Sequence, residues 1–272
     1  MPLSLEEAFN PATLADLGPE LLRREALALA VPPPAVRWRY GEGPRQTLDL
    51  YQPTISRNRA VLLYFHGGYW HSGDAAASRF VAGPYLAAGI AVAIAGYDLC
   101  PGVSLAMIVG EARAARNLLL SRAAELDLDP GRMIVSGSSA GAHLSAMLLQ
   151  DGPAAWPTPP LASLVTGVFD LDPIMRISIN AILHLVEEDI EPLSPLRRRA
   201  PLYCRKLLIA VGGDEPAPWQ AMSASVAEKA RSDGVQTEYL VCPGENHFSV
   251  TTALGIESHA LAQRTIALLA QS

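Results

Sequence analysis

The sequence has few of the features that mark membrane proteins, disulfide-rich secreted proteins and nucleic-acid-binding proteins. No stretch reaches the roughly 18 uninterrupted apolar residues of a membrane span, although 50% of the 272 residues are hydrophobic. The N-terminus, MPLSLEEAFNP, carries Glu6 and Glu7 where a secretory signal carries basic residues. The three cysteines are an odd number without ligand-like spacing, which argues for reduced thiols. We therefore expect a soluble, cytoplasmic protein that does not associate with a membrane.

Positive charge is also scarce. The 21 basic residues are outnumbered by 27 acidic ones, and the only basic run, Arg197 to Arg199, is short. Because binding to phosphate backbones needs a concentrated basic face, we expect no nucleic-acid partner. Repeats, low-complexity segments and long linkers are missing as well. The sequence thus predicts a single domain over residues 1–272.

Short apolar runs alternate with helical patterns after residue 60. The runs read as strands buried on both faces, and between them apolar residues recur at steps of three and four from Leu105 to Leu119 and from Trp219 to Ala230. This alternation predicts a mostly parallel sheet with helices on both faces, and residues 36–51 predict an antiparallel hairpin at its N-terminal edge. The six predicted strands are 60–65, 89–97, 132–137, 162–169, 206–213 and 237–242.

Functional residues are expected directly after the strands, because open α/β sheets bind ligands outside the carboxyl ends of their strands. One such position holds the motif G-x-S-x-G, with Ser139 at its centre, between a buried strand and an apolar helix. In that context the motif forms a nucleophile elbow, a tight and strained turn that exposes the serine hydroxyl. Ser139 is therefore the predicted nucleophile, although a helix that merely starts with small residues can show the same pattern.

A serine nucleophile needs a general base, and the base needs an orienting acid. Among the six histidines, His247 follows the last strand and lies furthest toward the C-terminus of the loop candidates. Asp214 and Glu215 both follow the preceding strand. We favour Asp214, because it is closer to the strand end and because Glu215 precedes a proline that can begin a helix. The predicted order Ser139, Asp214, His247 is that of the α/β-hydrolases.

The segment HGGYW, which follows the first parallel strand, predicts an oxyanion hole. In an acyl-transfer site of this type, the oxyanion is bound by the N–H of the residue after the nucleophile and by N–H groups of a glycine loop. Ala140 supplies the first donor, and Gly67, Gly68 and Tyr69 are candidates for the others. Tyr69 and Trp70 either line the mouth of the pocket or pack in the core.

The chain resembles the kynurenine formamidase (arylformamidase) branch of the α/β-hydrolase superfamily, near the hormone-sensitive-lipase-like esterases. The resemblance spans about residues 36–270 and rests on YGEGPRQTLDLY, HGGYW, YDLCP, GSSAGAHL, GVFDLDP, LSP, VGGDE and NHFSV in that order. It implies the α/β-hydrolase fold with a small helical cap at about 170–196, and a serine triad that uses no metal and no organic cofactor. The residue before the nucleophile is often histidine in this branch and is Ser138 here.

The resemblance also implies a small-molecule substrate, an aromatic formamide of the N-formylkynurenine type. A short-chain carboxylesterase is the alternative enzyme, because esters and formamides share one intermediate, and a non-catalytic binding protein on this fold is the alternative outside enzymes. Residues 1–34 predict a helical segment that could act as a lid, and a homodimer is left open. Arg176 and Asn180 are offered as partners of the substrate's amino-acid group. The predicted substrate-binding residues are Tyr69, Trp70, Phe169, Leu171, Asn180, Trp219 and Phe248.

Overall fold

The computed structural model describes residues 3–10, 15–56 and 58–271 and has one eight-stranded sheet at its centre. The strand order is β1-β2-β4-β3-β5-β6-β7-β8. The strands are β1 (Val36–Arg39), β2 (Thr47–Tyr51), β3 (Val61–Phe65), β4 (Ala91–Ala95), β5 (Met133–Ser138), β6 (Leu161–Val165), β7 (Lys206–Gly212) and β8 (Gln236–Cys242).

Strand direction follows the prediction from the sequence. β1 pairs with β2 and β2 with β4 in antiparallel fashion, while β3 to β8 run parallel. The N-terminal edge hairpin and the mostly parallel sheet are therefore confirmed. Two predicted strands are too long. The strand predicted over 89–97 is confined to Ala91–Ala95. β6 ends at Val165, not at residue 169, because Thr166 adopts a positive φ of 43° that extended backbone does not allow.

Helices cover both faces of the sheet. One face packs on α4, α5 and α9 and the other on α3 and α11. The helices are α1 (Leu5–Phe9), α2 (Gly18–Leu29), α3 (Ala82–Ala87), α4 (Leu105–Arg122), α5 (Ala140–Leu149), α6 (Asp172–Met175), α7 (Asn180–Leu183), α8 (Glu187–Leu193), α9 (Ala217–Ser232), α10 (His247–Thr252) and α11 (Ala260–Ala270). Within the described ranges, no helix is long and apolar enough to cross a membrane.

Helical periodicity in the sequence identifies the buried faces correctly. The periodic apolar positions of α4, namely Leu105, Ile108, Ala112, Ala115 and Leu119, are buried, and so are those of α9, namely Trp219, Met222, Val226 and Ala230. Spacings of three and four residues place side chains on one face of a helix, so these positions meet the sheet. The α9 face matters for the site, because it brings Trp219 to the carboxyl edge of the sheet, beside α10.

Two groups of short elements surround that carboxyl edge. The segment between β6 and β7 contains α6, α7 and α8 and is tied down by buried Ile174, Leu183 and Ile190. The N-terminal helix α1 is fastened to the same edge, because Trp219 Nε1 donates a hydrogen bond of 2.8 Å to the carbonyl of Ala8. By contrast, α2 contains no fully buried residue.

Candidate functional site

The turn between β5 and α5 has the geometry of a nucleophile elbow. Ser139 has φ 53° and ψ −120°, a conformation that residues with a side chain rarely adopt. The glycines on either side are required by close approach. A Cβ at Gly137 would lie 2.3 Å from the backbone of Gly141, and a Cβ at Gly141 would lie 1.9 Å from the carbonyl oxygen of Phe65. The tight turn thus holds the Ser139 hydroxyl at the end of a central strand.

His247 contacts the serine, as the sequence predicts. Its Nε2 lies 3.1 Å from Ser139 Oγ, although the two residues are 108 positions apart in the chain. His247 is the first residue of α10, and its ring packs against Trp219 with the ring centroids 4.4 Å apart. Both side chains are buried, so the imidazole is held in one place and shielded from bulk water.

The acid is Glu215, and the prediction of Asp214 is wrong. Glu215 Oε2 lies 2.9 Å from His247 Nδ1, and its side chain is fully buried. Asp214 is exposed. The backbone turn explains the difference, since the N–H of Asp214 donates to the carbonyl of Glu245 while that of Glu215 donates back to Gly212. This turn presents the second acidic side chain, not the first, to the interior.

Two further donors fix the Glu215 carboxylate. The N–H of Gly212 donates to Oε1 over 2.8 Å, and the hydroxyl of Thr166 donates to Oε2 over 2.5 Å. Thr166 Oγ1 also lies 3.0 Å from His247 Nδ1, so the threonine touches both members of the pair. Because a carboxylate only accepts hydrogen bonds, Nδ1 carries the hydrogen, and the lone pair of Nε2 faces Ser139.

The sequence pattern does not identify Thr166 as a site residue, because the apolar run predicts a strand over residues 162–169 that includes it. Had β6 been ended at Val165, Thr166 would have followed a strand like the other site residues. Its buried side chain and its positive φ mark the same carboxyl edge of the sheet as the elbow. The signal was therefore present in the sequence but was hidden by the flanking apolar residues.

The glycine loop after β3 lies against the serine, as predicted for an oxyanion hole. A Cβ at Gly67 would come within 3.1 Å of Ser139 Cβ. Gly68, Tyr69 and Trp70 have positive φ angles of 114°, 46° and 57°. Successive residues in such conformations turn their N–H groups toward one side of the loop, where they can meet the N–H of Ala140 at the start of α5. The loop backbone thus lies beside Ser139, and its role as an oxyanion hole stays a prediction.

His66 holds this loop in place. Its Nδ1 lies 2.8 Å from the carbonyl oxygen of Gly67, its ring stacks on Tyr97 at 4.2 Å, and its own carbonyl accepts the Tyr97 hydroxyl over 2.8 Å. Burial lowers the pKa of His66 to about 4, so the ring stays neutral near pH 7. An imidazole with so low a pKa is a weak base, and its fixed position fits a structural role.

A cavity of about 640 Å³ opens over the serine. Volumes of this size are typical of small-molecule sites. Its floor consists of strand-end residues and includes Gly67, Gly68, Ser139 and His247, while α2 forms the opposite side. The α2 side is lined by Leu21, Arg24, Glu25 and Ala28.

Only two of the seven predicted substrate-binding residues line the cavity, namely Tyr69 and Phe248. Trp70, Phe169, Leu171 and Trp219 are almost fully buried in the core. Asn180 starts α7 and bonds to Leu185 through its side chain. The predicted cap segment reaches the cavity only at residues 177–179, between α6 and α7. Leu171 and Asn180, the two residues of this segment that were predicted to bind substrate, do not line the cavity.

Comparisons with known proteins agree with this geometry. A family model described as BD-FAE matches residues 48–152, which include the glycine loop and the elbow. The kynurenine formamidase of Danio rerio is 27% identical over 241 residues, covering 86% of this chain and 81% of that protein. The kynurenine formamidase of Drosophila melanogaster is 28% identical over 235 residues, covering 80% and 76%. A hyperthermophilic esterase from the archaeon Pyrobaculum calidifontis matches with a TM-score of 0.77 at 18% identity, covering 100% of this chain and 99% of that one.

These likenesses confirm the resemblance seen in the sequence. The chain has the α/β-hydrolase fold and is similar over most of its length to kynurenine formamidases. It is a hydrolase, so the alternative of a non-catalytic binding protein is wrong.

Proposed function

We propose that the protein is a serine hydrolase that removes a formyl group from an aromatic amide, with N-formylkynurenine as the model substrate. The observation that carries this proposal is the continuous chain of hydrogen bonds from Glu215 through His247 to Ser139 at the bottom of a cavity. The similarity to kynurenine formamidases supports the choice of an aromatic formamide.

The first half of the reaction forms a formyl-enzyme. Ser139 Oγ attacks the formyl carbon while His247 Nε2 takes the hydroxyl proton, and Glu215 stabilises the imidazolium through Nδ1. The carbonyl oxygen becomes an oxyanion that accepts hydrogen bonds from the amides of Ala140 and of the glycine loop. His247 then donates its proton to the leaving nitrogen, the C–N bond breaks, and the aromatic amine leaves.

The second half regenerates the serine. A water molecule attacks the formyl ester while His247 takes its proton, and the C–O bond to Ser139 then breaks as His247 returns that proton to Ser139 Oγ, with formic acid, which ionises to formate, as the product. Both halves use the same three side chains, and they do not require a metal or an organic cofactor. Positioning and backbone donors together supply much of the rate enhancement in such sites.

Three variants test which residues perform this chemistry. Ser139→Ala should lower kcat on N-formylkynurenine by roughly 10⁴-fold or more, because the residues of a triad act as a unit. Glu215→Gln should lower kcat/KM by roughly 10³-fold, because an amide cannot balance the imidazolium charge. The adjacent Asp214→Asn is the matched control and should retain activity. If Asp214→Asn is the defective one of the two, our assignment of the acid is wrong.

The nature of the substrate needs a separate measurement. Hydrolysis of N-formylkynurenine is compared with that of 4-nitrophenyl acetate under the same conditions. The proposal predicts the higher kcat/KM on the formamide. Turnover of the ester without turnover of the formamide would show a short-chain carboxylesterase instead, which the esterase among the structural neighbours makes the second candidate.

A further inference from the structure

The proposed substrate carries an amino-acid group that needs charged partners, and the structure rules out those suggested by the sequence. Arg176 pairs with Asp172 at 2.7 Å on the surface. Asn180 bonds to Leu185. Neither side chain lines the cavity. The partners of a charged substrate group have to be sought on the α2 side.

Arg24 of α2 is a cation placed in the wall of the cavity. Its Nε donates to Thr252 Oγ1 over 2.9 Å and its Nη2 donates to the carbonyl of Phe248 over 2.7 Å. The guanidinium also lies 5.3 Å from the centre of the Phe80 ring. These contacts fix the plane of the guanidinium beside α10, the helix that begins with His247.

The charge of Arg24 is not neutralised by an ion pair. Within residues 3–10, 15–56 and 58–271, no carboxylate oxygen lies within the 4.0 Å that defines one. Burial lowers the pKa of Arg24, as expected for a guanidinium partly removed from water. A fixed cation whose bonds go to neutral oxygens retains its attraction for an anion in the cavity.

Arg24 faces the same cavity as the nucleophile, from the α2 side. Burial raises the pKa of Tyr64, and the charge of Arg24 is close enough to act in the opposite direction. The Tyr64 hydroxyl lies 2.9 Å from Ser138 Oγ, next to the nucleophile. Arg24, Tyr64, Ser138 and Ser139 all line the one cavity.

Acidic groups stand at the rim of the cavity near this cation. Glu25 and Asp74 are exposed and line the cavity, and Glu20 lies one helical turn before Arg24 and acts on its charge. A simple anion would be attracted by Arg24 and repelled by these carboxylates. A zwitterion can satisfy both, with its carboxylate on Arg24 and its ammonium group toward the rim.

We propose that Arg24 binds the carboxylate of an α-amino acid group on the substrate, with Glu25 and Asp74 facing the ammonium group. This inference rests on the proposed function, since it assigns a partner to the part of the substrate that does not react. Arg24 would then select amino-acid-bearing aromatic formamides over neutral ones.

Direct binding tests this subsite without requiring turnover. L-Kynurenine and 2-aminoacetophenone, which lacks the amino-acid group, are titrated calorimetrically into the wild type and into Arg24→Met. We expect L-kynurenine to bind more tightly to the wild type, and the ratio of the two affinities to fall on the order of 30-fold in the variant. Because the ratio is measured within one variant, a general loss of affinity cancels.

Two further variants separate charge from structure. Arg24→Lys should restore part of the ratio, because it keeps the charge but loses the fork geometry. Arg23→Met removes the exposed neighbouring arginine on the same helix and should keep the wild-type ratio. An unchanged ratio in Arg24→Met, or an equal fall in Arg23→Met, would overturn the inference.

The outcome for the subsite is distinct from the outcome for the proposed function. Turnover of N-formylkynurenine with an unchanged affinity ratio in Arg24→Met would leave the function standing and remove the subsite. Binding of L-kynurenine that depends on Arg24, without turnover of N-formylkynurenine, would leave the subsite standing and remove the proposed function. Failure of both measurements in the wild type would overturn both.

Discussion

Two helices near the cavity are held in opposite ways. On the floor, α5 begins directly after Ser139 and all ten of its residues are buried. On the other side, α2 has twelve residues and none of them is fully buried. The reacting groups therefore lie on the most tightly packed part of the molecule. The α2 side of the cavity, by contrast, is held by a few polar and aromatic contacts. Chemistry and substrate selection can therefore change independently.

Substituting one residue on each helix tests this difference in packing most directly. Gly141→Ala on α5 should destabilise the fold by about 3 kcal/mol or more, because its Cβ would overlap the Phe65 backbone and a packed core relaxes poorly. Leu22→Ser on α2, at a side chain that is 70% exposed, should change the free energy of unfolding by no more than about 0.5 kcal/mol. Urea denaturation measures the free energy of unfolding of both variants. Comparable decreases in the two would contradict the difference in packing between α5 and α2.

Acidification should destabilise the fold through a buried histidine of α5. His143 of α5 is buried with its Nε2 2.7 Å from the carbonyl of Leu193, and burial lowers its pKa from 6.5 to about 4. Between these two values the unfolded chain binds more protons than the folded one, so acidification favours unfolding. From pH 7 to pH 5 we expect His143 to reduce the free energy of unfolding by about 2 kcal/mol.

Variants of two histidines check the origin of this pH dependence. His143→Gln should make the free energy of unfolding fall less between pH 7 and pH 5, whatever its effect at pH 7. The exposed His184 offers the control, since His184→Asn should leave the pH dependence as it is in the wild type. Equal slopes for the wild type and His143→Gln would assign the acid sensitivity to other groups.

The smallest expected effect concerns Thr166, a positioning residue on the floor. Thr166→Val keeps the shape of the side chain but removes the hydroxyl that bonds to Glu215, so kcat should fall by about tenfold while KM changes little. Thr166→Ser restores the hydroxyl and should recover most of kcat. A purely structural role would predict no such recovery, and a change confined to KM would place Thr166 in substrate binding.

The sequence predicted the floor better than the α2 side, and the reason is physical. Strand ends and their sharp turns leave local signals, such as the glycines around Ser139 and the position of His247 after β8. Asp214 and Glu215 differ by only one position after a strand, and which of them points inward depends on hydrogen bonds to Cys242 and Glu245 from a distant part of the chain. That information is not local, so the sequence near Asp214 and Glu215 does not show which of the two side chains faces His247.

The α2 side illustrates a second limit. The sequence of α2 shows that an amphipathic helix forms, and Leu27 and Ala28 pack against the core, but nothing local shows which distant segments the helix contacts. The contacts of Arg24 with Phe248 and Thr252 join residues more than 220 positions apart. The resemblance therefore directs two of the seven predicted substrate-binding residues, Leu171 and Asn180, to the segment 170–196, and it predicts residues 1–34 only as a helical segment that could act as a lid.

Tyr69 connects the first residues of the chain to the reaction. Its hydroxyl donates to the carbonyl of Phe9 at the end of α1, while its own N–H belongs to the glycine loop that faces the serine. The left-handed backbone of Tyr69 costs free energy, and the buried bond to Phe9 offsets part of that cost. The end of α1 and the loop beside Ser139 are thus joined through one buried side chain, so any displacement of α1 would leave the Tyr69 hydroxyl without this partner.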